Sequence, residues 1–86
     1  MDVFAIYSGT EQAYWQGKNE LDHGQLRPYL TTEKIQTTWF ASDKVALTNL
    51  KRLEGMLTND YRLRVVKINL EKMSKKSRTI PSEDND

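Results

Sequence analysis

The chain has no cysteine, only two prolines and four glycines, and a single histidine among its 86 residues. Without cysteine there is no disulfide framework and no thiolate zinc site, which suits a reducing compartment. No apolar run approaches the ~18 residues of a membrane helix, and the start of the chain lacks the basic region and apolar stretch of a signal peptide. The expectation is an intracellular, cytoplasmic protein with no membrane partner. There is no GxSxG elbow, no glycine-rich GK[ST] loop and no internal repeat. Neither a nucleophile–base pair nor an acid–base pair is in view, so a non-enzymatic protein without catalytic residues, metal or cofactor is expected. His23 sits between Asp22 and Gly24 with Glu20 nearby. A metal site or general base uses such residues, but nothing else supplies the spacing, and the expected role is a solvated loop histidine.

What is present is short and lean. Hydrophobic residues make up 37% of the chain, and a domain of this size buries only about 60% of its unfolded surface. A partner or a second copy would add apolar cover, so a homodimer is one expectation.

The net charge of +1 conceals an uneven distribution. Residues 1–43 carry Asp2, Glu11, Glu20, Asp22, Glu33 and Asp43 against Lys18, Arg27 and Lys34, a net of −3. Residues 61–79 carry Arg62, Arg64, Lys67, Lys72, Lys75, Lys76 and Arg78 against Glu71 alone, a net of +6. A basic segment between acidic ones is the strongest compositional signal in the chain.

Val3-Phe4-Ala5-Ile6-Tyr7 is apolar in both alternating sets and predicts a strand over 3–7 covered on both faces, interior to a sheet. Thr10 to Gln16 has the residues for one or two helical turns, with Thr10 as a cap. Gly17, Asn19, Gly24 and Pro28 then punctuate a polar stretch, so 8–34 reads as a long loop or short-helix segment. Ile35 to Ala41 has strong β character from threonine, tryptophan and phenylalanine. Ser42 is suited to cap a helix, with Asp43 at its positive end. Ala46, Leu50, Leu53 and Leu57, widened by Leu47, form the apolar stripe of a helix over 43–57, and Asn59 is a candidate left-handed residue beyond its end.

Tyr61 to Leu70 predicts a strand whose apolar residues switch alternation, from Tyr61, Leu63 and Val65 to Val66, Ile68 and Leu70. Either both faces are partly buried, or a β-bulge at Val65-Val66 restores one apolar side. The bulge is the favoured reading, and it aligns Arg62, Arg64 and Lys67. Together these elements predict an α+β domain over 1–70. It would hold a three-stranded sheet, mixed if the strands of a βαβ unit (strand 35–41, helix 43–57, strand 61–70) run parallel, with the N-terminal strand added. Residues 71–86 read as a charged, disordered tail.

Tyr7-Ser8-Gly9-Thr10, followed by Trp39-Phe40-Ala41-Ser42 and a helix, resembles the strand pattern of ADP-ribosyltransferases that use a His-Gly-Thr and a Tyr-Phe-Ala motif. Ser8 stands where that histidine would, Trp39 where the tyrosine would, and the 61–70 strand offers no glutamate. The resemblance implies a degenerate domain without activity.

The basic set supports a binding function. Arg62, Arg64 and Lys67 on one strand face would be spaced about 7 Å between like-facing neighbours, comparable to phosphates on an extended single strand. Lys72, Lys75, Lys76 and Arg78 would extend them, with Lys51 and Arg52 on the helix as further candidates. The partner expected is RNA or an RNA-containing complex, held through phosphates with steep salt dependence. The same charges also suit an edge strand guarded against edge-to-edge association. Trp15, Trp39, Tyr14 and Tyr29 are the aromatics suited to base stacking, with packing in a lean core as their other use. Trp15 is the candidate exposed stacking residue, whereas Trp39 and Phe40 are expected in the core. The alternative is a phage-like or antitoxin-like inhibitor that blocks a target enzyme directly.

Overall fold

The structure, a computed structural model, describes residues 1–71. In chain order they form β1 (Asp2–Ser8), β2 (Ala13–Asp22), β3 (Gln25–Thr31), a 3-10 turn (Lys34–Gln36), α1 (Asp43–Met56) and β4 (Leu63–Asn69). The strands make one sheet in the order β3-β2-β1-β4, antiparallel throughout. The fold is a small α+β domain with four strands instead of three. The expected tail lies, from Lys72 onward, outside the described residues.

β1 is interior, as its doubly apolar run requires. It pairs with β4 along its whole length, from Asp2↔Asn69 to Ser8↔Leu63. On its other side it pairs with β2 only at Tyr7↔Tyr14 and Ser8↔Ala13. Farther along that side Phe40 takes over, exchanging backbone hydrogen bonds of 2.9 and 2.7 Å with Phe4. The 35–41 segment is therefore no strand: it is a 3-10 turn and an extended stretch that touches β1 at one bridge. No βαβ unit forms, because 35–41 supplies no first strand, and β4 pairs antiparallel with β1 instead.

The 8–34 segment holds a β-hairpin, not a loop. Residues 10–12 form a turn instead of helix, with the Gln12 N–H donating to the Ser8 carbonyl at 2.8 Å. β2 and β3 then meet at the two-residue turn His23-Gly24, where φ is 52° and 80°. Two successive positive φ values give the turn the twist that an antiparallel hairpin needs. Pro28 sits in β3, an edge strand, where a missing N–H is tolerated. Between Trp15 and Asn19 the register shifts. Gly17, at φ 85°, lies in this irregularity against Thr38.

α1 begins where the sequence places it. The Ser42 hydroxyl accepts a hydrogen bond from the Val45 N–H at 3.2 Å, and Asp43 supplies negative charge in the first turn. The helix ends at Leu57 in an extended conformation, so Asn59 is not the left-handed terminator. Positive φ falls instead on Arg62 (53°), whose N–H donates to Asp60 Oδ1 at 2.9 Å and turns the chain into β4.

The apolar residues divide between the two faces of the sheet. Ala46, Leu50 and Leu53 of α1 are buried. Leu50 and Leu53 pack with Ile6 and Trp15, joined by Leu30, Phe40, Leu57, Leu63 and Val65. The opposite face has its own cluster of Val3, Ala5 and Ile68 with Tyr14, Val66 and Leu70. β4 thus feeds both faces, which is why its apolar alternation switches. Its register against β1 is continuous from Leu63 to Asn69, so there is no bulge at Val65-Val66.

Candidate nucleic-acid interface

Loss of the bulge breaks the basic row. In an unbulged strand successive side chains point to opposite faces, so Arg64 shares a face with Val66 and Ile68, and Lys67 shares one with Leu63 and Val65. Arg62 lies outside the strand, with its Cβ over Gly9. Lys51 and Arg52 are exposed on α1, apart from either strand position. Lys72, Lys75, Lys76 and Arg78 lie outside the described residues.

The tryptophan assignments exchange places. Trp15 is 8% exposed, packed in the α1-side core, and its indole N–H donates to the Lys18 carbonyl at 3.0 Å and to Asn19 Oδ1 at 3.1 Å. It is unavailable for stacking on a ligand. Trp39 is 36% exposed although its neighbour Phe40 joins the core.

A different constellation occupies the face opposite α1. Tyr7 and Arg64 are directly paired across β1 and β4, and Tyr7 and Tyr14 across β1 and β2. The Arg64 guanidinium lies 4.9 Å from the Tyr7 ring centroid. The Tyr7 and Tyr14 rings meet edge to face at 5.0 Å. Tyr14 pairs with Thr31, so strand alternation places Tyr29 on this same side. Lys18 Nζ sits 4.7 Å over the Tyr29 ring. A cation and two tyrosines therefore line up across three neighbouring strands, with a second cation–tyrosine pair on the hairpin. The sequence signal was modest: Tyr7, Tyr14 and Tyr29 lie in segments whose strand pairing had to be known first.

The other chemical candidates, Ser8 and His23, lie in separate parts of the fold. Ser8 is fully buried, and its hydroxyl donates to the Tyr61 carbonyl at 2.8 Å. It presents nothing to a ligand at the position where the resemblance would put a catalytic histidine. His23 stands at the hairpin tip with its side chain 92% exposed, beside Asp22 at 3.5 Å. Among the described residues no group of three histidine, cysteine, aspartate or glutamate side chains could hold a metal ion. No helix among them is long and apolar enough to cross a membrane. No protein-family model, no curated protein and no solved structure matches this chain.

Proposed function

We propose that this protein binds single-stranded RNA on the sheet face opposite α1, with Tyr7, Tyr14 and Tyr29 as stacking surfaces and Arg64 and Lys18 as phosphate contacts. The observation that carries the reading is the Arg64–Tyr7–Tyr14 alignment across β4, β1 and β2. Stacking on aromatic faces accepts any base, and cations beside the rings track the backbone without reading sequence. Neighbouring strands lie about 4.8 Å apart, so a single strand running across the sheet meets successive side chains at intervals within nucleotide reach.

The test is fluorescence anisotropy with a labelled oligouridine at several salt concentrations. Binding at low salt should weaken as salt rises, and Tyr7→Ala or Tyr14→Ala should cost about 1–3 kcal/mol each. Tyr7→Phe keeps the ring and should bind nearly as wild type. Arg64→Ala should reduce the salt slope by about 0.7, the contribution of one phosphate contact to a single strand. Undetectable binding at low salt, or unchanged affinity in both alanine variants, overturns the proposal.

A further inference from the structure

The outer edge of β4 is a second surface, distinct from the tyrosine face. β4 ends the sheet order, and among the described residues no strand pairs with its far side. The backbone bonds at the two ends of the β1–β4 ladder show which groups face outward. The Gly9 N–H donates to the Arg62 carbonyl at 3.0 Å, and the Leu70 N–H donates to the Met1 carbonyl at 2.9 Å. Hydrogen-bonded pairs alternate along an antiparallel ladder, so Ile68, Val66 and Arg64 bond inward to Val3, Ala5 and Tyr7. The intervening residues Leu63, Val65 and Lys67 direct their N–H and C=O groups outward. Phe4, an intervening residue on β1, likewise turns its backbone away from β4 and toward Phe40.

Beside this edge runs a groove of about 540 Å³ between α1 and β4, lined by Phe4, Leu47, Val65, Lys44 and Lys67 together with Asp43 and Val66. Leu47 is the one member of the helix stripe left well exposed, at 45%. The side chains of Leu63, Val65 and Lys67 point to this side of the sheet, so a strand added at the edge would project every second side chain toward the groove. Cations outnumber acids around the site, with Asp43 the one acid among the residues lining the groove. Arg62, Arg64 and Lys67 flank the edge with no acid between 61 and 70, and Lys44 stands at the groove.

We infer that the β4 edge receives an extended acidic peptide, whose alternate apolar side chains enter the α1–β4 groove while its carboxylates meet the flanking cations. Main-chain bonding to an open edge supplies affinity, and pockets for alternate side chains supply specificity. Charge complementarity selects this occupant over a second copy of the chain. Self-pairing through β4 would bring two sets of Arg62, Arg64 and Lys67 together, and like charges facing across strands are destabilising.

The probe is a seven-residue peptide alternating valine and glutamate, compared with its valine–lysine counterpart, by amide hydrogen exchange on the 15N-labelled protein. The glutamate peptide should slow exchange of the Leu63, Val65 and Lys67 amides by about tenfold or more, equivalent to ~1.4 kcal/mol of protection. The lysine peptide should leave them unchanged. Lys67→Pro deletes an outward N–H that β1 does not use, a substitution edge strands tolerate, and should abolish that protection with the circular dichroism spectrum retained. Should that variant unfold, Arg62→Glu keeps every backbone donor, reverses a cation that flanks the edge, and should still weaken the peptide about tenfold. Neither residue belongs to the tyrosine row, so oligouridine binding should survive in both variants. Equal protection by both peptides, protection by oligouridine in place of peptide, or a β4-mediated dimer in sedimentation overturns the inference.

Discussion

Three glycines separate the physical reasons for using that residue. Gly17 has φ 85°, and a Cβ there would collide with the Thr38 side chain. Gly17→Ala combines backbone strain with a clash, and should cost about 2–4 kcal/mol in urea denaturation. Gly24 has a similar φ of 80° but open space around it, so Gly24→Ala should lose only about 1 kcal/mol. Gly55 lies inside α1 with nothing near its would-be Cβ. Gly55→Ala should stabilise the protein by about 0.5–1 kcal/mol. The three variants measured together would distinguish strain, clash and helix propensity. Residue chemistry was legible in the sequence where it acts locally: Ser42 caps its helix because its partner, Val45, is three positions away. The places of the two tryptophans are not legible in the sequence, because burial depends on which strand each lies beside, and composition carries no such information.

At the scale of elements, α1 was readable because a 3.6-residue apolar period survives in sequence wherever one helix face is buried. Leu53 is 1% exposed at the centre of that stripe. Leu53→Ala should therefore cost about 2–5 kcal/mol, whereas Leu47→Ala, at the groove, should stay within about 1 kcal/mol. The β2–β3 hairpin is illegible in the sequence for the complementary reason. Beyond Trp15 its residues are mostly exposed or partly buried on both faces, so no apolar alternation marks it as strand. The one local signal was His23-Gly24 at a two-residue turn, weaker than an Asn-Gly pair. This far end of the hairpin belongs to neither core cluster. Its amides at Lys18 to Leu26 should exchange with solvent well before those of β1 and β4, at a free energy below that of global unfolding. Equal protection along β1 and the hairpin tip would contradict this.

For the whole molecule, the decisive contact joins the two ends of the described chain. β1 and β4 pair in seven registered positions, Asp2↔Asn69 to Ser8↔Leu63. The Met1 ammonium adds an exposed ion pair to Glu71 at 3.2 Å, which water screens to little net effect. Closing so long a loop before the core is rewarded makes such pairing entropically costly. A chain ending after Arg62 would lose one wall of both apolar clusters. It should show no cooperative thermal transition by circular dichroism, and a folded truncation would disprove β4's role. The tyrosine row and the β4 edge exist only at this scale, since each depends on β1 having β4 on one side and β2 on the other.

By itself the sequence determined the helix and its cap, the interior β1, the strand character of 61–70 and the concentration of positive charge after residue 60. These are local properties, set by period, capping chemistry and composition over a dozen residues or fewer. Only the tertiary structure decided the register of β4, and with it the fate of the basic row. Apolar residues on both faces of β4 answered to two separate clusters, so no bulge was needed and Arg64 and Lys67 parted to opposite sides. One residue of register moves every side chain of a strand to the other face, and that choice is made by the partner strand.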